Sequence, residues 1–440
     1  MLLEFRTKNY KSFADEICFS MQPAPKQKGL DYSVISRKAG SKQYKGLSTA
    51  VIYGPNASGK TNLIGAMDTF RSIVLRGNIR NADLSTPNHA ASSLELIPNC
   101  HGDAAPTEFS VKFIEDNLLV DYSIRIDLGM FMDKDYSRKI LEEKLSVNEK
   151  TVFLRKETVD VDLPSTIKSY INLSARKNAS AALEIARNSL TDTELFLNNG
   201  FKSIYAPKLV AKILNWFNNR FIVIYRSEDI RLVRRFTDPK DNTVYVSNTL
   251  TEAAKEFGIT GNALGYIPKS DPEGEDVELY SLIDQKMIPA EVFESYGTIR
   301  FINEFPLVIL ALLTGSTLVM DEFDASIHPM ALMNIINIFH NDDINKNGAQ
   351  LVFNTHNPIF LDASLLRRDE IKFVERDEAS GNSEHYSLSD FKTAGGVRKG
   401  EDYMTNYFVS RYGAIRDVDF SPLMEKIISQ YGANDDANKE

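Results

Sequence analysis

Apolar and polar residues alternate through "LLEFRTKNYKSF" at Leu3, Phe5, Thr7 and Asn9, which predicts a half-buried strand near the start of the chain. A polar stretch with Pro23, Pro25 and Gly29 follows as loop, and "STAVIYG" then predicts a buried strand. After Lys60 the apolar positions change period: Leu63, Met67, Phe70 and Val74 recur at helical spacing. A glycine-rich turn therefore sits between a strand and a helix. From about Ser93 to Arg155, "SSLELI", "TEFSVKFIE", "LLVDYSIRID", "EKLSV" and "TVFLRK" alternate as an antiparallel sheet would. Beyond Pro164 the pattern turns helical in "STIKSYINLSARKNASAALEIARNSL" and "PKLVAKILNWFNNRF", and it is mixed up to a Pro, Gly and acidic loop from Lys269 to Asp276.

The longest uncharged run, "FPLVILALLTGSTLVM" from Phe305 to Met320, is shorter than the roughly 20 residues of a membrane span. It is expected to be a buried helix ending near Gly315 and then a buried strand. No stretch keeps apolar heptads over several repeats, so no long coiled-coil arm is expected. No internal repeat is evident, and "YGANDDANKE" ends the sequence as a polar tail.

With 440 residues, the chain has room for two or three domains, one of them inserted in another. Hydrophobic residues at 43% and charged residues at 25% are those of a folded globular protein. A net charge of −9 argues against a basic coat for nucleic acid while leaving room for a local basic groove. Cys18 and Cys100 provide neither a disulfide framework nor zinc spacing, and "MLLE" begins no signal peptide, so a reducing cytoplasm is the expected setting.

Four short motifs carry the chemistry. Gly54, Gly59, Lys60 and Thr61 satisfy G-x-x-x-x-G-K-[ST] in the strand, turn and helix setting that the motif needs. Its backbone N–H groups and the helix N-terminus attract phosphate, Lys60 neutralises it and Thr61 is a candidate Mg²⁺ ligand. In "TLVMDEFDASIHP", Asp321 caps a buried strand where it can hold Mg²⁺ through water, and Glu322 is placed to orient and deprotonate an attacking water. Two carboxylates there are costly without a cation or donors. "LVFNTHNP" predicts another buried strand leading to His356, a candidate γ-phosphate contact at the ligand-binding edge of an α/β sheet. In "ESYGTIRF", Ser295 and the Gly297 N–H at a helix start make a second anion site, best used across a dimer interface on the partner's γ-phosphate.

In that order, "GPNASGKTN", "ESYGTIRF", "LVMDEFDASIHP" and "FNTHNP" resemble the ATPase head shared by ABC transporters, SMC proteins and RecF. More narrowly, "MLLEFRTKNYKSF", "LRRDEIKFVERD", "YSLSDF" and "YFVSRYGAI" resemble the stand-alone bacterial AAA type-fifteen ATPases of abortive-infection and restriction-linked loci. The resemblance covers about Met1 to Arg155 and Ser281 to Val418. It implies an α/β fold: a P-loop ABC-type head with an antiparallel β subdomain and an inserted, mainly helical region. The division it suggests is 1–160 for the N-terminal part of the head, 161–280 for the insert, 281–430 for the C-terminal part and 431–440 for the tail.

By the same resemblance Gly54, Pro55, Asn56, Ala57, Ser58, Gly59, Lys60, Thr61 and Asn62 form the phosphate loop, and Thr61 and Asp321 bind Mg²⁺. Glu322 and His356 are catalytic, Ser295 and Gly297 are the signature pair, and Asp324 is the D-loop acid. One element departs from the pattern: no glutamine occurs from Asn62 to Asp284, where the class often has one that senses Mg²⁺. A slow or partner-dependent ATPase fits that departure.

A fused nuclease of the topoisomerase-primase type would need a glutamate and an Asp-x-Asp pair. The pairs Asp160/Asp162 and Asp417/Asp419 look incidental, as does Glu142 with Lys144 on one strand face. His89, His101, His328, His340, His356 and His385 show no metal spacing, and His328 before Pro329 suits a helix start. Arg226, Arg231, Arg234 and Arg235 are the best local candidates for a phosphate backbone or an acidic partner, with Glu228 and Asp229 compensating if they are only a solvated face.

These readings converge on an ATP- and Mg²⁺-dependent ATPase that dimerises around nucleotide. With neither a convincing nuclease site nor a membrane segment, its output is expected in a separate effector, a nuclease or toxin of anti-phage defence. The competing class acts directly on DNA or RNA, as RecF and SMC proteins do. An importer's soluble subunit is disfavoured by the missing glutamine and the large insert.

Overall fold

The structure is a computed structural model that describes residues 1–25, 27, 29–80, 94–101, 105–131, 136–225, 244–245, 263–268, 277–325, 327–391, 401–416 and 419–437. Its strands in chain order are β1 Leu2–Lys8, β2 Ile17–Ser20, β3 Val34–Ala39, β4 Lys42–Leu47, β5 Thr49–Tyr53, β6 Thr107–Glu115, β7 Leu118–Asp127, β8 Lys139–Val147, β9 Lys150–Arg155 and β10 Val159–Val161. Then come β11 Phe221–Ile224, β12 Val244–Tyr245, β13 Ala263–Pro268, β14 Val277–Ile283, β15 Lys286–Pro289, β16 Thr317–Met320, β17 Gln350–Asn354, β18 Ile371–Arg376 and β19 Ser383–Ser387. The α-helices are α1 Lys60–Arg76, α2 Leu173–Lys177, α3 Ala179–Asn188, α4 Pro207–Asn215, α5 Ala290–Phe293, α6 Tyr296–Thr314, α7 Pro329–His340, α8 Tyr403–Phe408 and α9 Ser421–Ala437.

A six-stranded sheet in the order β11-β16-β17-β5-β18-β19 is parallel except for the last pair. Its central strands are apolar on both sides, as a sheet covered on both faces requires. Ala50 and Ile52 of β5 face the α1 side, while Val51 and Tyr53 face the side closed by α6 and α7. Buried Gln350 stitches this sheet to its neighbours, accepting from Leu2 N at 2.6 Å and donating to Leu2 O at 3.0 Å and Leu47 O at 2.9 Å.

A seven-stranded antiparallel sheet, β10-β9-β8-β7-β6-β1-β2, lies on the α1 side and shares its apolar core. Three of the protein's hairpins turn on two left-handed residues, Asp116 with Asn117, Asn148 with Glu149 and Asp284 with Gln285. That pair of positive φ angles matches the right-handed twist of the flanking strands.

The expected α/β class with an antiparallel subdomain is the observed one. Some local expectations are corrected. The described end of "SSLELI" forms no strand, although Leu94 and Leu96 are buried; no neighbouring strand pairs with it. The long helical run after Pro164 breaks into short helices, with Asn178 outside the helical backbone between α2 and α3. "NWFNNRF" stays helical to Arg220, its last turn widened into a π-helix, and only Phe221 passes into β11, which pairs with β16 from Phe221↔Thr317 to Ile224↔Met320. The region between 161 and 280 therefore supplies an edge strand to the central sheet. Its helices share one apolar core with α1, where Trp216 stacks on Phe113 with ring centroids 3.7 Å apart.

The helix expected to be buried, α6, is only partly so: Leu310 is 44% exposed and Leu313 71%. It is long and apolar enough to cross a membrane by length and composition, alone in this among the described residues. It also carries a buried ion pair, described below.

Candidate functional site

The carboxyl ends of β5, β16 and β17 meet at one edge of the six-stranded sheet, and every motif except the signature pair lies there. Strand β5 runs into the loop from Gly54 to Gly59 and then α1. The loop's shape is fixed by glycine at its two ends. A Cβ on Gly54 would lie 2.2 Å from the carbonyl oxygen of Val374 on β18. At Gly59, which caps α1 with φ +111°, a Cβ would lie 2.6 Å from Ser383 Oγ and 2.8 Å from Ser12 Oγ. Those two serines pin the loop from outside: Ser383 Oγ donates to Ser58 O at 2.5 Å, and Asn62 Nδ2 donates to Ser12 Oγ at 2.8 Å.

Lys60 is buried with its Nζ donating to Gly54 O at 2.8 Å and Pro55 O at 3.0 Å. Burial pulls its pKa down to about 8, against the carboxylates of Asp321, Glu322 and Asp324. Binding an anion beside it would restore full charge.

Across the sheet edge, Thr61 Oγ1 donates to Asp321 Oδ1 at 3.1 Å, and Asn354 Nδ2 donates to the same oxygen at 2.5 Å. Burial raises the Asp321 pKa, and these two donors oppose the rise. Strand β17 lies between β5 and β16, so its last residue sits between loop and carboxylate. Asn354 Oδ1 also accepts from the backbone N–H of Glu322.

The carboxylate of Glu322 is exposed and has no hydrogen-bond partner among the described residues. Its backbone is left-handed at φ +50°, a conformation that costs a non-glycine residue about 1–3 kcal/mol unless its surroundings hold it. Arg300 of α6 helps to hold it, with Nη2 donating to Glu322 O at 2.5 Å.

Asp324 is tied to the loop after β17 that carries His356. Thr355 Oγ1 donates to Asp324 Oδ2 at 2.5 Å and accepts from Asn357 N at 2.8 Å. Burial raises the Asp324 pKa. His356 is exposed, and its pKa is lowered by desolvation and then by the charge of Lys60.

Ser295 and Gly297 stand apart from this network. Ser295 caps α6, its Oγ accepting from Thr298 N at 3.1 Å, and no hydrogen bond links either residue to the phosphate loop among the described residues. Arg226, Arg231, Arg234 and Arg235 lie outside the described residues, as does Asp417. Asp160 pairs with Arg187 at 2.9 Å, and Asp419 accepts from Ser421 N at 2.8 Å. His328 caps α7, its Nδ1 accepting from Met330 N at 3.2 Å.

The donor set suits Mg²⁺, which takes one or two protein oxygens and completes its shell with phosphate and water. Thr61 Oγ1 and the buried, pKa-raised Asp321 provide those oxygens side by side. Among the described residues no group of three or more His, Cys, Asp or Glu forms a cage of its own.

Reading the sequence missed Asn354 and Arg300, although both stand inside the quoted motifs "LVFNTHNP" and "ESYGTIRF". Their signal was polarity at a strand's end and on an otherwise apolar helix. It also missed Ser12 and Ser383, for which the sequence offers no signal.

Residues 50–362 match the family described as "AAA domain, putative AbiEii toxin, Type IV TA system". No curated protein matches the chain. Among solved structures, an SMC head bound to the C-terminal winged-helix domain of ScpA is 15% identical, with 90% of this chain and 99% of that one covered and a TM-score of 0.38. The SMC head domain from Thermotoga maritima is 13% identical, with 88% and 98% covered and a TM-score of 0.34. An SMC head with an extended coiled coil, bound to the C-terminal domain of ScpA from Pyrococcus furiosus, is 12% identical, with 88% and 97% covered and a TM-score of 0.37. Likeness at this level bears on neither activity nor partner. The family match spans most of the chain, and the chain belongs to that AAA-domain family.

Proposed function

We propose that this AAA-family chain binds and hydrolyses ATP at the edge formed by β5, β16 and β17, and that two copies enclose the nucleotide between them. The observation that carries the reading is the network joining Thr61 to Asp321 and Asn354, with Lys60 buried in the loop beside it. Backbone N–H groups of the loop and the N-terminus of α1 bind the phosphates, and Lys60 exchanges its loop carbonyls for them. Thr61 and Asp321 would hold Mg²⁺, which neutralises β- and γ-phosphate charge. Glu322 accepts a proton from water as its oxygen bonds to the γ-phosphorus; the bond to the β,γ-bridging oxygen breaks and ADP leaves. His356 contacts the γ-phosphate. Ser295 and Gly297 of the second copy cap it, and Asp324 lies at the same interface.

In this reading the chain divides at 160 and 280, with the intervening region coupling nucleotide state to a partner. The narrower kinship is with stand-alone type-fifteen ATPases, and the output is control of a separate cytoplasmic effector, a nuclease or toxin, in anti-phage defence. The family's description as a putative toxin of a toxin–antitoxin system supports that setting. Direct action on DNA or RNA is the competing output.

Steady-state turnover tests the chemistry. Glu322→Gln is expected to lower it by about 10²- to 10⁴-fold, the share of a general base, with ATP affinity kept. Unchanged turnover would move the role to another residue. Mass spectrometry of what co-purifies with ATP-trapped Glu322→Gln tests the output. A second protein with nuclease or toxin features supports effector control; a homodimer with nucleic acid alone overturns it.

A further inference from the structure

We propose that Arg300, held by Glu304, is the positioning residue for Glu322, and that through it helix α6 sets the aim of the water-activating carboxylate in its own chain. The inference rests on the assignment of Glu322 as general base.

Arg300 and Glu304 lie one helical turn apart on α6 and are nearly inaccessible, at 7% and 1% exposure. Arg300 Nε donates to Glu304 Oε1 at 2.7 Å. The same guanidinium turns its Nη2 to the carbonyl oxygens of Glu322 and Asp321, at 2.5 and 3.5 Å. On the other side of the turn, Asn354 accepts from the Glu322 N–H. Both backbone polar groups of Glu322 are thus tied to side chains from other elements, one from β17 and one from α6.

The carboxylate of Glu322 itself has no partner among the described residues. Its direction therefore follows from its backbone, and that backbone is left-handed at φ +50°. A residue in this region keeps its conformation only while its surroundings over-determine it. Arg300 is the part of those surroundings that belongs to α6.

Packing alone explains the pair poorly. A buried ion pair loses hydration on both sides, and apolar residues of similar volume generally serve a core as well or better. Here Glu304 Oε2 has no hydrogen-bond partner among the described residues, and burial pushes the carboxyl pKa up to about 7. What an apolar pair cannot supply is a fixed donor for the carbonyls of the Asp321–Glu322 turn.

The position on the helix gives the contact a direction of action. Ser295 caps α6 and Arg300 follows five residues later, before Pro306 interrupts the helix. A group that engages the N-terminus of α6 acts on a rigid segment whose next inward-facing charge holds Glu322. In a sandwich of two copies, capture of the partner's nucleotide by one chain would then align that chain's own Glu322.

The decisive variant is Arg300→Met with Glu304→Leu, which removes the charges together and leaves no carboxylate unpaired. Its melting temperature is expected to equal or exceed that of wild type. Turnover is expected to fall by about 10²-fold, the scale of a misplaced catalytic group, with ATP affinity within about twofold. Arg300→Lys keeps one donor and is expected to recover part of the loss, and it serves alone if the double change does not fold. The same changes in a Glu322→Gln background are expected to cost nothing more, because Arg300 acts through Glu322. Wild-type turnover in the folded double variant, or losses that multiply with Glu322→Gln, would overturn the proposal. Full activity of Glu322→Gln alone would instead remove the general-base assignment beneath it.

Discussion

The phosphate loop and the carboxylate turn lie within hydrogen-bond reach of each other, yet they are held in opposite ways. From Gly54 to Gly59 the loop takes its shape from what its residues lack, since a methyl group at either end would collide with β18 or with Ser383. The turn from Asp321 to Asp324 takes its shape from what others bring. Asn354, Thr355 and Arg300 reach it from 21 to 33 positions away in the chain, and no glycine relieves the left-handed Glu322. The first kind of site is local and is destroyed by adding an atom. The second is assembled from several elements and fails when a donor is removed.

The comparison breaks most sharply at the loop. Gly54→Ala places a carbon against a backbone carbonyl, where no side chain can rotate away. Overpacking of this kind costs about 3 kcal/mol, so nucleotide affinity is expected to drop by about 10²-fold. Titration of a fluorescent ATP analogue would read it. Lys60→Ala should weaken binding in the same assay without the steric cost. Normal affinity in both would remove the phosphate-loop assignment.

The turn should fail more gently and in a different quantity. Asn354→Ala strips Asp321 of one of its two donors and leaves the Glu322 N–H without its acceptor. An orphaned buried partner costs about 1–3 kcal/mol, and the expected result is a fall in kcat of about 10- to 100-fold with ATP affinity changed far less. A loss confined to affinity would place Asn354 with the loop and erase the distinction.

The same contrast decides what could be read from sequence. The glycines, Lys60 and Thr61 stand in one short stretch because a loop that wraps backbone around phosphate needs consecutive residues. Asp321 and Glu322 are legible as carboxylates ending an apolar strand. Their support is not, since strand order alone puts β17 between β5 and β16 and so brings Asn354 to Asp321.

The fold divides likewise. Alternation places the strands from Thr107 to Arg155 in an antiparallel sheet, whereas Leu94 and Leu96 show the same alternation and find no ladder. Alternation reports which side chains go inward, not whether a partner strand is at hand. Strand β11 is four apolar residues after a helix and carries no period by which it could be told from the helix's continuation.

A third effect is read in stability alone and separates Arg300 from Glu304 on α6. Burial pushes the Glu304 carboxyl from its ordinary 4.5 up to about 7, so the folded protein holds this proton more tightly than the unfolded chain does. A carboxyl raised in this way stabilises the fold most below pH 4.5 and loses that contribution as pH climbs through 7, by about 3 kcal/mol in all. Glu304→Gln keeps a hydrogen-bonding side chain beside Arg300 and has no proton to lose. Relative to wild type, the variant should therefore be more stable at pH 8 than at pH 5, which melting temperatures at the two values would read. Parallel curves would mean that Arg300 already compensates the carboxylate fully. The carboxylate would then cost the fold nothing, and an apolar pair would serve the core no better than Arg300 with Glu304.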